Sequence, residues 1–352
     1  MTARPAGATA LSAGAFATLL LIAFMMGANH VAARVAFDHG VDVATAVSVR
    51  STITALVVVA LLALHRIPLS LTRRHRRALP AIGLLIGVQS LCLYSSVARL
   101  PVALALLAFN TYPLWTALWA RLLYASRPER SVVLAMPVML VGLALALDVL
   151  GAASGLGATA QWRHIGAGVA FALAAAATFG LALDVLGAAS GLGATAQWRQ
   201  IGAGVAFALA AAATFGFALV LTQHEAGDLD GRLRTATTMA IVAVIGIAVA
   251  TAQGGFRLPN AAPGWWGLAA LTFLYGTAFT IMFTVLPRLG VVGNSAIMNV
   301  EPVFALGLAW LVLGQSIAPS QVAGALVVVA TVVWLGLRRS RLHERPVSPA
   351  RP

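Results

Sequence analysis

The chain contains no lysine: all 23 of its Lys+Arg residues are arginine, set against only ten acids in 352 residues. Charged residues of every kind make up 9% of the sequence and hydrophobic residues 60%. So little charge cannot cover the surface of a soluble domain of this length. A single cysteine, Cys92, rules out an internal disulfide or a thiolate metal cluster. Neither H-E-x-x-H nor G-x-S-x-G occurs, and seven scattered histidines have no metal-ligand spacing, so no enzyme, cofactor or metal is expected. What the chain does have is apolar runs of about 20 residues, each able to cross ~30 Å of hydrocarbon as a helix. The expectation is an all-α polytopic membrane protein.

Apolar length and flanking Arg, Pro and Gly predict ten membrane spans. In the first half they are about Leu11–Ala33, Ala44–Leu64, Leu79–Val97, Ala103–Leu123 and Val132–Leu150. In the second half they are about Ile201–Leu221, Ala236–Ala252, Trp266–Leu286, Asn294–Leu313 and Gln321–Leu337. Residues 145–180 recur as 181–216 with one change, His164 to Gln200, and this tandem duplication creates an extra apolar stretch, Ile165–Ser190. The N-terminus resembles a signal peptide, but it is read as the first span because it matches a later part of the chain.

The net charge of +13 does not point to nucleic acid, because the arginines gather in short loops and the tail, as in "TRRHRRALP" (Thr72–Pro80). That is the pattern of cytoplasmic loops. With ten spans and a cytoplasmic N-terminus, seventeen arginines fall inside and five outside, Arg50 being set aside as intramembrane. Counting Ile165–Ser190 as an eleventh span splits them eleven to eleven. The ten-span topology follows, with both termini cytoplasmic. The extra segment is then helical but appended or re-entrant, since Asp184 would cost up to about 3 kcal/mol deep in the membrane.

Sliding the chain by 189 positions lays Val97–Tyr124 on Leu286–Leu313 without a gap, with seven of twenty-eight residues identical. Arg99, Asn110 and Pro113 meet Arg288, Asn299 and Pro302; Gly27 meets Gly216 and Gly87 meets Gly276. Each half therefore reads as one five-helix unit, and an odd number of spans per unit turns the second upside down relative to the first. Inverted repeats are a recurrent plan of secondary transporters, with the substrate near the midplane. The predicted organisation is a five-helix unit over 1–150, the duplicated linker over 151–200, a second unit over 201–340 and a basic tail over 341–352.

Several motifs resemble the drug/metabolite transporter superfamily, in its EamA-type branch of ten-helix bacterial inner-membrane carriers. "FMMGANHVAARV" is similar to that family's Gly-x-Asn motif followed by a basic residue (Gly27, Asn29, Arg34), and "VRSTITALVV" to its intramembrane arginine (Arg50). "FNTYPLWTALWARLL" and "NVEPVFALGLAWLVLGQ" resemble its proline-anchored helices (Pro113, Pro302). Where the family pattern commonly ends in Glu after "LG", this chain has Gln315. The resemblance implies export or exchange of small amino-acid-like or drug-like metabolites by alternating access in the inner membrane.

Ionisable groups inside apolar spans are costly and by default mark a pathway. Glu301 is the one acid well inside a predicted span, beside Pro302. It is either a coupling carboxyl that carries protons or a structural carboxylate satisfied by a neighbouring helix. Arg50 is its expected partner, or a clamp on an anionic substrate group. Asn29, His30, Asn110, Asn299, Tyr112 and Gln89 complete the candidate substrate-binding or coupling set, and Tyr94 and Tyr275 are further candidates to line a cavity. The expected partners are a small-molecule substrate, protons and the lipid bilayer, with no nucleic acid; the sequence does not speak to oligomeric state. Two alternatives stay open: a lipid-linked or nucleotide-sugar-type carrier or flippase of the same superfamily, and a non-transporting membrane scaffold.

Overall fold

The computed structural model describes residues 13–100, 102–125, 138, 141–142, 196–289, 300–314 and 318–343. The extra stretch Ile165–Ser190 and most of the fifth span lie outside the described residues, as does Asn299. All the elements described are helices: α1 Ala13–Asp38, α2 Val43–Leu64, α3 Arg73–Arg99, α4 Val102–Phe109 and α5 Tyr112–Tyr124, followed by α6 Ala196–Glu225, α7 Gly231–Ala252, α8 Ala262–Leu289, α9 Glu301–Leu313 and α10 Pro319–His343. Six of them, α1, α2, α3, α6, α7 and α8, are long and apolar enough to cross a membrane.

Short polar residues fix where helices begin. Asp42 caps α2 by accepting from the Thr45 amide at 2.7 Å, and Asp230 caps α7 by accepting from the Arg232 amide at 2.9 Å, each satisfying a donor with no partner inside the helix. Thr72 caps α3 in a reciprocal capping box with His75. Burial is inside out compared with a soluble helix. On α2, Arg50, Ser51 and Thr54 are buried, whereas Leu56 is 64% exposed and Ile53 and Val57 also face outward. An apolar exterior with a polar interior is what lipid selects. Many buried hydroxyls, such as those of Ser48, Thr116 and Thr272, bond the carbonyl four residues back and so serve their own helices.

The predicted fourth span is not one helix. It breaks into α4 and α5 at Asn110–Thr111, where the Asn110 amide donates to the Leu106 carbonyl at 2.6 Å and the Thr111 hydroxyl to the Ala108 carbonyl at 2.8 Å. Pro113 then starts α5 near its first turn, where a missing N–H costs nothing. Glu301 and Pro302 likewise start α9, so Glu301 stands at a helix start and not in the middle of an unbroken span. The packing pairs the two halves: α3 lies on α6, α1 on α8 and α9, α5 on α6, and α2 on α7. A Cβ added at Gly27 of α1 would lie 3.1 Å from the Ala305 amide of α9; one at Gly216 of α6 would lie 2.7 Å from the Thr116 amide of α5. These close approaches fall at the same register in the two halves, and only glycine permits either.

Candidate functional site

Arg50 enters the middle of the bundle from α2 and is 1% exposed. Its guanidinium carbon lies 4.3 Å from the centre of the Tyr94 ring on α3 and 3.6 Å from that of Tyr275 on α8. Such a sandwich stabilises a desolvated cation by about 2 kcal/mol. Nη1 donates to the Tyr94 hydroxyl at 3.0 Å, and that hydroxyl donates to Oδ1 of Asn29 at 2.8 Å. Arg50 Nε has no hydrogen-bond partner, and none of the ion pairs among the described residues includes Arg50. The aromatic rings take the place of a counter-ion, so the positive charge is left uncancelled.

A second polar pair lines the same cavity. His30 Nε2 lies 3.2 Å from Glu301 Oε1, and both side chains are buried. Gly27 explains the contact: its missing side chain lets the Glu301 carbonyl come to 2.9 Å from where a Cβ would be. His30, three residues further along the same face of α1, then reaches the carboxylate. Glu301 is the first residue of α9, where the helix dipole favours negative charge. Glu301 was expected to pair with Arg50. It pairs with His30 instead, because α9 docks on α1, while Tyr94 and Tyr275 hold the guanidinium between their rings.

The two clusters share one cavity. It is lined by His30, Arg50, Gln89, Tyr112 and Glu301 together with Tyr94, Tyr275, Ser90, Leu93 and the apolar Met26, Phe109, Phe215, Phe279 and Met282. Its volume is about 30 Å³, room for water rather than for a metabolite, whose sites enclose about 300 Å³ or more. This conformation is closed around its polar centre. Of the remaining candidates, Asn29 acts behind the wall through Tyr94, and Asn110 is spent on the α4–α5 break. Among the described residues no group of His, Cys, Asp and Glu could hold a metal ion.

Tyr94 and Tyr275 owe their place to Arg50, and a tyrosine in an apolar span is a readable hint. The phenylalanines and methionines of the lining carry no signal against a background this apolar. Arg234 falls just before the predicted seventh span, Ala236–Ala252. It is buried, donating to the carbonyls of Ala226, Leu229 and Phe283, where it ties the end of α6 and the turn before α7 to α8.

The model of the EamA-like transporter family matches residues 13–147 and 202–337. The two matches start 189 positions apart, at residues 13 and 202, which is the offset of the internal repeat, and they leave out 148–201. No sequence among the curated proteins matches. A solved crystal structure aligns over 93% of this chain and 99% of its own at 17% identity and a TM-score of 0.62, which shows a common fold. Matched in both halves and built as a bundle of apolar helices around a polar centre, the chain belongs to the EamA-like transporter family, multi-pass membrane proteins that carry small solutes and are not enzymes.

Proposed function

We propose that this protein is a secondary transporter that exports or exchanges small solutes bearing a carboxylate, amino-acid-like or drug-like, by alternating access. Arg50 carries the reading. A buried guanidinium with no counter-ion among the described residues, facing a closed cavity, is a site waiting for an anion, and the planar fork of arginine matches a carboxylate. The Glu301–His30 pair in the same cavity is the candidate for proton coupling: proton gain by Glu301 dissolves its charge and frees His30. The protein works in a bacterial inner membrane as ten spans with both termini cytoplasmic.

Opposite mounting of the two five-helix halves is supported by which helix ends meet. Arg74 at the start of α3 touches Glu225 at the end of α6, while Leu100 just after α3 packs on Gly204 early in α6. Arg34 near the end of α1 reaches the Val97 carbonyl near the end of α3. So α1 runs with α3 and against α6, its counterpart in the other half. A screen for resistance to toxic metabolite analogues tests the function, in cells overproducing the protein or its Arg50→Ala variant. Resistance to carboxylate-bearing analogues that disappears with Arg50→Ala is expected; resistance that survives Arg50→Ala would overturn the assignment.

A further inference from the structure

One end of the bundle carries a charged cluster that the cavity does not use. Arg74, second residue of α3, places Nε 2.8 Å from Oε2 of Glu225, the last residue of α6. Tyr124, the last residue of α5, donates its hydroxyl to the other Glu225 oxygen at 2.7 Å, and its ring stacks on His224 at 3.8 Å between centres. His75 Nε2 lies 3.0 Å from Oδ1 of Asp228, in the turn after α6. That hydrogen bond holds the Asp228 carboxyl below its ordinary range. His75 also accepts the Thr72 amide at 3.4 Å through Nδ1, so its ring is fixed by the same capping box that starts α3. Apart from that cap, each contact joins the first half of the chain to the second.

The 189-residue offset locates the matching corner at the opposite end of the bundle. Pro263 and Gly264 stand for Arg74 and His75 there, and Ala36 and His39 for Glu225 and Asp228. That corner is closed mainly by backbone contacts, with one long ion pair beside it, Arg257 Nε to Asp42 Oδ2 at 4.0 Å, in which Arg257 is largely exposed. The Asn260 amide donates to the His39 carbonyl at 3.0 Å. A Cβ on Gly264 would lie 2.7 Å from the His39 Cβ, and one on Gly267 would lie 2.8 Å from the Ala36 amide. Close packing of backbone is indifferent to salt, whereas ion pairs at the surface are screened by it.

We infer that Arg74–Glu225–Tyr124 and His75–Asp228 form an ionic latch, which holds the start of α3 against the end of α6 and closes the cavity toward that end. Its role as a gate rests on the transport reading above. Opening this end separates opposite charges, while the glycine-packed corner opens mainly by sliding backbone past backbone. The two ends therefore respond differently to ionic strength.

The test uses the full-length protein in lipid nanodiscs, with Cys92→Ser removing the native thiol and Ser90→Cys placing one in the cavity. A bulky maleimide cannot enter a cavity of about 30 Å³, so its rate of reaction reports opening. Arg74→Glu should raise that rate roughly fivefold, the upper range for an exposed pair, and Asp228→Asn should raise it independently. Arg74→Glu with Glu225→Arg should restore the slow rate. Salt raised from roughly 0.05 to 0.5 M should accelerate the intact latch and leave an Arg74→Gln, Asp228→Asn double variant, which has no charge pair left to screen, unmoved. Unchanged rates in both single variants, or no rescue by the charge exchange, would overturn the latch. Solute counterflow in proteoliposomes keeps the two ideas apart: counterflow with unmoved thiol rates sinks the latch alone, and shifted rates without counterflow sink the transport reading alone.

Discussion

Glu301 keeps a buried carboxyl because three features converge on it: its place at the start of α9, the His30 imidazole at 3.2 Å, and a neighbouring helix made close by Gly27. If the pair carries the coupling proton, Glu301→Gln preserves the side-chain shape and removes the titration. A pH jump across proteoliposomes should then drive no transport in Glu301→Gln while exchange persists. PH-driven flux that survives the substitution would make Glu301 a structural residue. At this scale the sequence singled out residues that come together in one cavity and was silent about whom they touch. Glu301, Arg50 and His30 stood out because charge is rare in apolar spans, and they do share one cavity. The pairing could not be read, because it depends on α9 docking against α1 across some 270 positions of chain, and because Tyr94 and Tyr275 replace the anion that Arg50 was expected to need.

Helix contacts in this bundle depend on two glycines at matching register. Gly27→Ala would put a methyl 2.9 Å from the Glu301 carbonyl, and Gly216→Ala one 2.7 Å from the Thr116 amide. Neither backbone can move without shifting its helix, so each substitution should destabilise the protein by about 1–3 kcal/mol. Gly202→Ala, with nothing within 4 Å, is the control and should not. Thermal unfolding in detergent compares the three, and equal melting temperatures would refute the close approach. Gly27→Ala should also depress transport more than Gly216→Ala, since it displaces Glu301. Most elements were legible from apolar length, with the arginines and prolines marking their ends. The α4–α5 break was not, because hydropathy runs unbroken through it; only Asn110 and Pro113 hinted that the backbone would stop and restart there. The latch corner was equally hidden, since Arg74 and Glu225 are 151 positions apart.

At the scale of the whole molecule, two five-helix halves mounted in opposite senses, as proposed, require an even number of crossings, with both chain ends on one face. A cysteine placed at Ser348 in a Cys92→Ser background should react with an impermeant thiol reagent only after the cells are opened; labelling of intact cells would contradict ten spans. The family match skips 148–201, which contains most of the first duplicate copy, so deleting 145–180 should leave folding and transport intact, as size-exclusion profile and flux can check. The most direct measurement is counterflow of small carboxylates, and of their neutral amides, into proteoliposomes bearing the wild-type protein or Arg50→Ala. Wild-type protein should exchange a carboxylate and not its amide, and Arg50→Ala should exchange neither. Equal exchange of acid and amide, or undiminished carboxylate exchange by Arg50→Ala, would contradict the claim that this guanidinium binds the solute.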